Sequence, residues 1–195
     1  MRHKAEPRHY AVTMRVGSPH TRLIVLRGNS ASGKSSVARA LQVTRDRDLA
    51  VIGQDVVRRD ILRERGVPGG SNIGLIDVIA RYSLDRGYHV LLEGMLYADR
   101  YERMLQALRA DHRGPAHFYY LDVSFDETLR RHATKPQAGM YGEAEMRRWY
   151  RPRDLLRDGS ETIIGEDSSR EETVRRILRE TGLSSRPRGG AGEPR

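Results

Sequence analysis

The sequence predicts an α/β protein of three layers, α/β/α, built on a five-stranded parallel sheet and carrying a small helical lid. Three observations predict it. Short apolar runs alternate with segments of helical period along the body. The first run passes through a glycine-bearing loop straight into a helix. Each run ends on a polar or acidic residue, and in a parallel sheet such ends share one edge, where ligands bind.

The first strand is 23–27, LIVLR. The loop after it fits G-x-x-x-x-G-K-[ST] as Gly28, Gly33, Lys34 and Ser35. A helix from about 34 to 43 turns Val37, Ala38 and Leu41 inward. A polyphosphate needs converging backbone N–H donors, and glycines let a loop wrap it without a Cβ in the way. The helix start adds unpaired N–H groups and a positive dipole end. Lys34 brings a point charge to the β- and γ-phosphates, and Ser35 offers a hydroxyl to Mg²⁺. The cradle expected to hold ATP with Mg²⁺ is Gly28, Asn29, Ser30, Ala31, Ser32, Gly33, Lys34, Ser35 and Ser36. The fold is then that of the P-loop NTPases.

The remaining elements follow in order. A strand at 49–53 ends at Asp55, and a helix over 56–65 stops at Gly66. Ser71 is placed to cap a helix over 72–86, whose Ile73, Ile76, Ile79, Ala80 and Leu84 recur at helical period. A strand at 89–92 ends in Glu93-Gly94, and a helix spans 98–112. The strand 117–121 ends at Asp122. Ser124 and Glu127 form an S-x-x-E capping box opening a helix to Ala133. A Gly/Pro-bearing break at 134–142 leads to a short basic helix over 143–151, with Met146, Trp149 and Tyr150 as packing residues. A strand at 162–164 and a helix over 170–181, capped by Ser169 with Glu172 and closed by Gly182, complete the body.

The acids at the strand ends carry the chemistry. Asp55 reads two ways that are compatible: a helix N-cap, or the general base that takes the proton of an acceptor hydroxyl. Glu93 reads as a solvated turn acid, or as a group that holds Mg²⁺ through water or positions the acceptor. Asp122, ending FYYLD, is a Walker-B-like candidate, but it reads first as the turn before Ser124. Between 130 and 153 the chain gathers Arg130, Arg131, Lys135, Arg147, Arg148, Arg151 and Arg153. Such a lid neutralises charge on a transferring phosphoryl group and shuts out water. Arg131 and Arg147 are the candidates for that clamp, with Arg147 and Arg151 four apart on one face. Arg59, Glu93 and Arg151 join Asp55 as acceptor-side contacts.

The net charge is +9, of which +4 falls in residues 1–22 and +2 in 184–195. These ends read as flexible basic tails around a kinase-like domain at 22–183. No Arg/Lys stretch carries interleaved aromatics, so nucleic acid is not an expected partner. The chain has no cysteine, which excludes disulfides and thiolate metal sites. No apolar run reaches the length of a membrane span or of a signal-peptide core, and a cytoplasmic location is expected.

Three segments together resemble P-loop kinases of the zeta toxin and chloramphenicol phosphotransferase type. They are GNSASGKSS, then VIGQD ending at Asp55, then DRGYHVLLEG from Asp85 to Gly94. The resemblance spans about 23 to 180. It implies ATP-dependent phosphorylation of a hydroxyl on a small molecule: a UDP-amino sugar in zeta toxins, a drug in the antibiotic-modifying relatives. It makes Asp55 the base and Glu93 an acceptor contact, with Lys34 and Ser35 on phosphate and Mg²⁺. Lys135 stands where that family leads one to expect arginine, and the extra C-terminal region of a toxin is missing. A metabolite or antibiotic kinase is therefore expected rather than a toxin. The competing readings are a nucleotide-dependent ATPase or switch and a polynucleotide end-kinase. A guanine-specifying N-K-x-D does not occur.

Overall fold

The structure is a computed structural model and describes residues 15–45, 47–134 and 139–183. The predicted flexible ends at 1–14 and 184–195, and Lys135 of the lid, lie outside the described residues. Residues 15–21, expected within the flexible N-terminus, instead join the packed body. Val16 is buried, and its N–H donates to Asp111 O at 2.9 Å.

The chain runs β1 (Leu23–Gly28), α1 (Lys34–Arg45), β2 (Leu49–Gly53), a π-helical turn (Val56–Ile61), α2 (Ser71–Asp85), β3 (His89–Glu93) and α3 (Ala98–Asp111). It continues with β4 (Ala116–Asp122), α4 (Phe125–Ala133), α5 (Glu143–Trp149), β5 (Glu161–Gly165) and α6 (Arg170–Thr181). The five strands form one parallel sheet in the order β2-β3-β1-β4-β5. The three-layer α/β/α P-loop NTPase fold read from the sequence is therefore the fold of the chain. Central β1 is buried throughout, as a strand covered on both faces must be.

Period-2 alternation divides the core between the two faces. Leu23 and Val25 of β1 point with Val90 and Leu92 of β3 toward Ile76, Ala80, Leu84, Leu105 and Leu108 of α2 and α3. Ile24 and Leu26 point with Leu91 toward Val37 and Leu41 of α1 and Ile177 of α6. The residue after them, Arg27, is a fully buried cation in an otherwise apolar strand.

Four local expectations are corrected. The predicted helix at 56–65 is only the π-helical turn, closed by Leu62 N–H donating to Val57 O at 3.1 Å. Val57 is its one buried residue, so too little packing exists to extend it. Ser71 does not cap α2. The Glu64 carboxylate accepts from Ser71 N–H at 3.1 Å and Asn72 N–H at 2.8 Å in its place. The box at Ser124 is half formed: Ser124 Oγ accepts from Glu127 N–H at 3.3 Å, but Glu127 turns to Arg130 and Arg131. Finally α5 stops at Trp149, because Tyr150 is extended and Pro152 follows. Arg147 and Arg151 therefore do not share a helix face.

The box at α6 forms in full, with Ser169 and Glu172 each accepting from the other's N–H at 3.2 and 2.8 Å. Ser169→Ala is expected to cost about 1 kcal/mol, read as a shift in the urea midpoint with unchanged slope.

Candidate active site

The phosphate loop occupies the carboxyl end of the middle strand. Gly28 has φ +145°, and a Cβ there would stand 2.8 Å from Leu121 O, so the loop can leave β1 this way only through glycine. α1 begins at Lys34 and has no acidic residue in its first turn, which leaves its positive end unneutralised. The buried Lys34 ammonium donates to Asn29 O at 2.6 Å and to Ser32 Oγ at 3.3 Å, so it is folded across the loop it would serve. Asn29 is the hinge pin of the far side. Its Oδ1 accepts from Arg151 N–H at 2.9 Å, and its Nδ2 donates to Arg151 O at 2.8 Å.

Toward β3 and β2 the loop faces a cleft of roughly 530 Å³. Ser30, Ala31, Lys34, Ser35 and Ser36 form its phosphate side. Asp55, Arg59 and Asp60 enter from the π-helical turn, and Glu93 with Met95 enters from the end of β3. Sheet register brings these together: Gly53 pairs with Glu93, which also sits beside Leu26. Ser35 Oγ donates to the Glu93 carboxylate, 3.2 Å from each oxygen. A hydroxyl and a carboxylate beside a phosphate loop are the oxygen donors that Mg²⁺ takes, with phosphate and water filling its octahedron. These residues fit the metal.

Asp55 makes no capping hydrogen bond, which removes the helix-cap reading of the sequence. Its carboxylate is instead held by Arg58 at 2.8 Å and Arg59 at 3.2 Å, with the side chain 57% exposed in the cleft. Behind it a polar chain sets the end of β3. Gln54 Nε2 donates to Tyr101 Oη at 2.7 Å, and Tyr101 Oη donates to Asn72, which donates to Glu64. Gln54 Oε1 accepts from Leu96 N–H at 3.1 Å. Gly94, at φ +157°, lies so close that an added Cβ would sit 2.5 Å from Gln54 Cβ. Glu93 is thus followed by a residue that must be glycine.

Toward β4 and β5 the loop borders a second cleft of roughly 500 Å³. Arg131 spans it. Its guanidinium donates to Ser32 O at 3.1 Å, to Glu166 O at 3.0 Å and to Glu127 at 2.6 Å. Hydrogen bonds from Arg130 and then Arg131 hold the Glu127 carboxyl down at about 2, so this anchor stays ionised at any ordinary pH. Glu166 accepts from Ser124 N–H at 2.8 Å and ties the rim of β4 to that of β5.

The other predicted cations are placed differently. Arg147 pairs with Glu143 at 2.7 Å and stacks over Phe125 at 4.3 Å, lining neither cleft. Arg151 pairs with Asp99 at 2.8 Å and lies over the Tyr97 ring at 4.0 Å, and it too lines neither. Asp122 pairs with Arg153 at 3.0 Å and lines neither cleft. Three features escape a sequence reading. Tyr141 and Trp149 wall the first cleft, although Trp149 reads as a packing residue. Asp60 lines the same cleft, and nothing separates it from other surface acids in the sequence. Buried Arg27 binds Asp154 at 3.1 Å, Glu161 at 2.7 Å and Leu96 O at 2.9 Å. A charge inside LIVLRG was its available signal.

A family profile described as an AAA domain matches residues 23–157. A search of curated proteins finds no match. Among solved structures, the chain is similar to the APS kinase of Mycobacterium tuberculosis in complex with AMPPNP and APS. The identity is 18%, 83% of this chain and 97% of that one are covered, and the TM-score is 0.64. It is also similar to a tunicamycin resistance protein of Deinococcus radiodurans at 17% identity, covering 86% and 99%, TM-score 0.61. A gluconokinase of Sinorhizobium meliloti 1021 aligns at 18% identity, covering 86% and 94%, TM-score 0.54. At such identities the likeness is one of fold.

Proposed function

The chain belongs to the AAA domain family, and from that premise we propose that it is an ATP-dependent phosphotransferase acting on a hydroxyl of a small molecule. The observation that carries this is the shared cleft: phosphate loop, Ser35–Glu93 pair and Asp55 all line one cavity. A protein that only hydrolyses nucleotide has no need of a second cavity wall at the γ-phosphate end. The structural neighbours named as kinases of APS and gluconate, and a resistance protein, support the same reading. So does the resemblance of VIGQD and the Glu93-Gly94 strand end to the zeta toxin and chloramphenicol phosphotransferase type.

In this reading the triphosphate lies along residues 28–36, and the nucleoside lies in the second cleft beside Arg131. Lys34 exchanges its contacts within the loop for the β- and γ-phosphates. Ser35, with Glu93 beside it, would hold Mg²⁺, which would supply positive charge against the triphosphate. Asp55, steadied by Arg58 and Arg59, accepts the hydroxyl proton as the acceptor oxygen bonds to Pγ and the bond to the ADP oxygen breaks. Arg131 holds the loop through Ser32 O and serves the phosphates from there. Arg147 needs a movement of α5 to take part, since it faces Phe125. The transferase unit spans 22–183, with its lid at about 130–153.

The test has two readouts. MgATP at a hundred times its Kd should stabilise the protein by about 2.7 kcal/mol in thermal melts, and Lys34→Met should lose that shift. Formation of a phosphate monoester, followed by ³¹P NMR, should then require an added alcohol. Equal ATP loss with and without any alcohol would sink the transferase reading in favour of an ATPase.

A further inference from the structure

We infer that Gln54 is a positioning residue of the transfer site, one whose buried amide fixes the spacing between Asp55 and the turn that follows Glu93; this rests on the phosphotransferase reading above. Gln54 and Asp55 are neighbours at the end of β2, yet their side chains part. Asp55 is exposed in the first cleft, whereas Gln54 is 6% exposed and lines neither cleft. Gln54 can therefore serve transfer only through the groups it holds.

It holds the turn at 94–96. Leu96 is buried and has φ +40°, a left-handed conformation that a residue with a Cβ rarely adopts. Two buried side chains pin it there. Gln54 Oε1 accepts from Leu96 N–H at 3.1 Å, and Arg27 Nε donates to Leu96 O at 2.9 Å. Gly94 and Met95 of the same turn line the first cleft with Glu93. Gly53, the residue before Gln54, pairs with Glu93 in the sheet. One amide thus joins the residue that precedes Asp55 to the turn that follows Glu93.

The amide is itself held in one orientation. Leu96 N–H can only donate, and the Glu64 carboxylate can only accept. Between them Gln54 Nε2 donates to Tyr101 Oη at 2.7 Å, Tyr101 Oη donates to Asn72 Oδ1, and Asn72 Nδ2 donates to Glu64. Burial pushes the Tyr101 hydroxyl up, so it stays a neutral donor, and hydrogen bonds from Asn72 hold the Glu64 carboxyl below its usual range. Turning any member round would set donor against donor or acceptor against acceptor. A side chain fixed at both ends suits the setting of a distance, and transfer is sensitive to displacements of about 1 Å.

The test uses the full chain with MgATP and, as alcohols, glycerol, glucose and uridine. Gln54→Met should lower kcat by about 10- to 100-fold while the MgATP Kd stays within about twofold. Tyr101→Phe should lower it less, and should add nothing to Gln54→Met, since both act through one chain. Gln54→Glu reads the orientation. Only its protonated form can donate to Tyr101, so its kcat relative to the parent should fall by about tenfold or more as pH rises from about 5 to about 8. The same ratio for Gln54→Met should be flat, and a loss of stability alone moves neither ratio while the proteins are folded. A parent-like kcat for Gln54→Met overturns the inference and leaves the phosphotransferase standing. So does a pH-independent ratio for Gln54→Glu, which decides alone if Gln54→Met does not fold. Loss of MgATP binding in folded Gln54→Met overturns the inference too. A parent protein that binds MgATP and releases no ADP, to any alcohol or to water, overturns the reading beneath it.

Discussion

Asp55→Asn is expected to lower kcat by about 10²- to 10⁴-fold while MgATP affinity stays within about twofold of the parent protein. The carboxylate lines the first cleft, and Arg58 and Arg59 hold its position at 2.8 and 3.2 Å. An amide of the same shape keeps the volume but cannot take the proton. Because Asp55 caps no helix and is 57% exposed, the change removes no structural hydrogen bond beyond those two ion pairs. Exposed pairs of this kind contribute at most about 1 kcal/mol, so folding should barely change. Single-turnover transfer beside nucleotide titration separates the two effects. Turnover of the variant at the parent rate would mean another group takes the proton.

Arg27→Met is expected to destabilise the protein by about 3–5 kcal/mol, the cost of breaking a buried pair from one side. The guanidinium is fully buried and satisfies Asp154, Glu161 and Leu96 O at once. Removing it leaves buried Glu161 with the Leu156 N–H but without this cation, and leaves Asp154 with the Ala98 N–H and with Arg151 at 3.9 Å. Arg27→Lys should recover only part of the loss, since an ammonium cannot span three acceptors in one plane. Urea unfolding of both variants measures this, and a loss below about 1 kcal/mol for the methionine variant would show that the cluster relaxes or takes in water. Tyr120 closes the same cluster: burial pushes its hydroxyl up to about 12, and it accepts from Asp154 N–H at 3.2 Å as a neutral phenol.

Much of this architecture was legible without coordinates, for particular reasons. Leu23 to Arg27 reads as a buried strand because no polar residue but Arg27 interrupts it, and the spacing from Gly28 to Ser35 is that of a phosphate loop. Asp55 and Glu93 are legible as neighbours of the phosphate loop because parallel strands must bring their carboxyl ends to one edge, which is topology and needs no distances. What stayed hidden depends on residues far apart in the chain. Ser71 looks like a cap until Glu64 is seen to reach its amide. Arg147 looks like a clamp until its ring partner Phe125 is known, because composition counts arginines but does not aim them. Trp149 looks like core because an aromatic on an amphipathic turn usually is, and only the path of 139–149 shows that it faces the cavity. The two arginines predicted on one face parted when Tyr150 left the helix.

The double hydrogen bond between Asn29 and the backbone of Arg151, with Arg27 on Asp154 just beyond, divides the molecule for anyone who would redesign it. Arg151 is keyed to Asn29 of the phosphate loop and Asp154 to Arg27 of the strand before it, so inserting a residue between them would pull one of the two contacts out of place. The stretch 139–149 before Arg151 carries the aromatic wall and has no such key to the loop. On the phosphotransferase reading, exchanging that stretch as a cassette, with its downstream junction set at Tyr150, is expected to change acceptor preference while residues 28–36 are left as they stand.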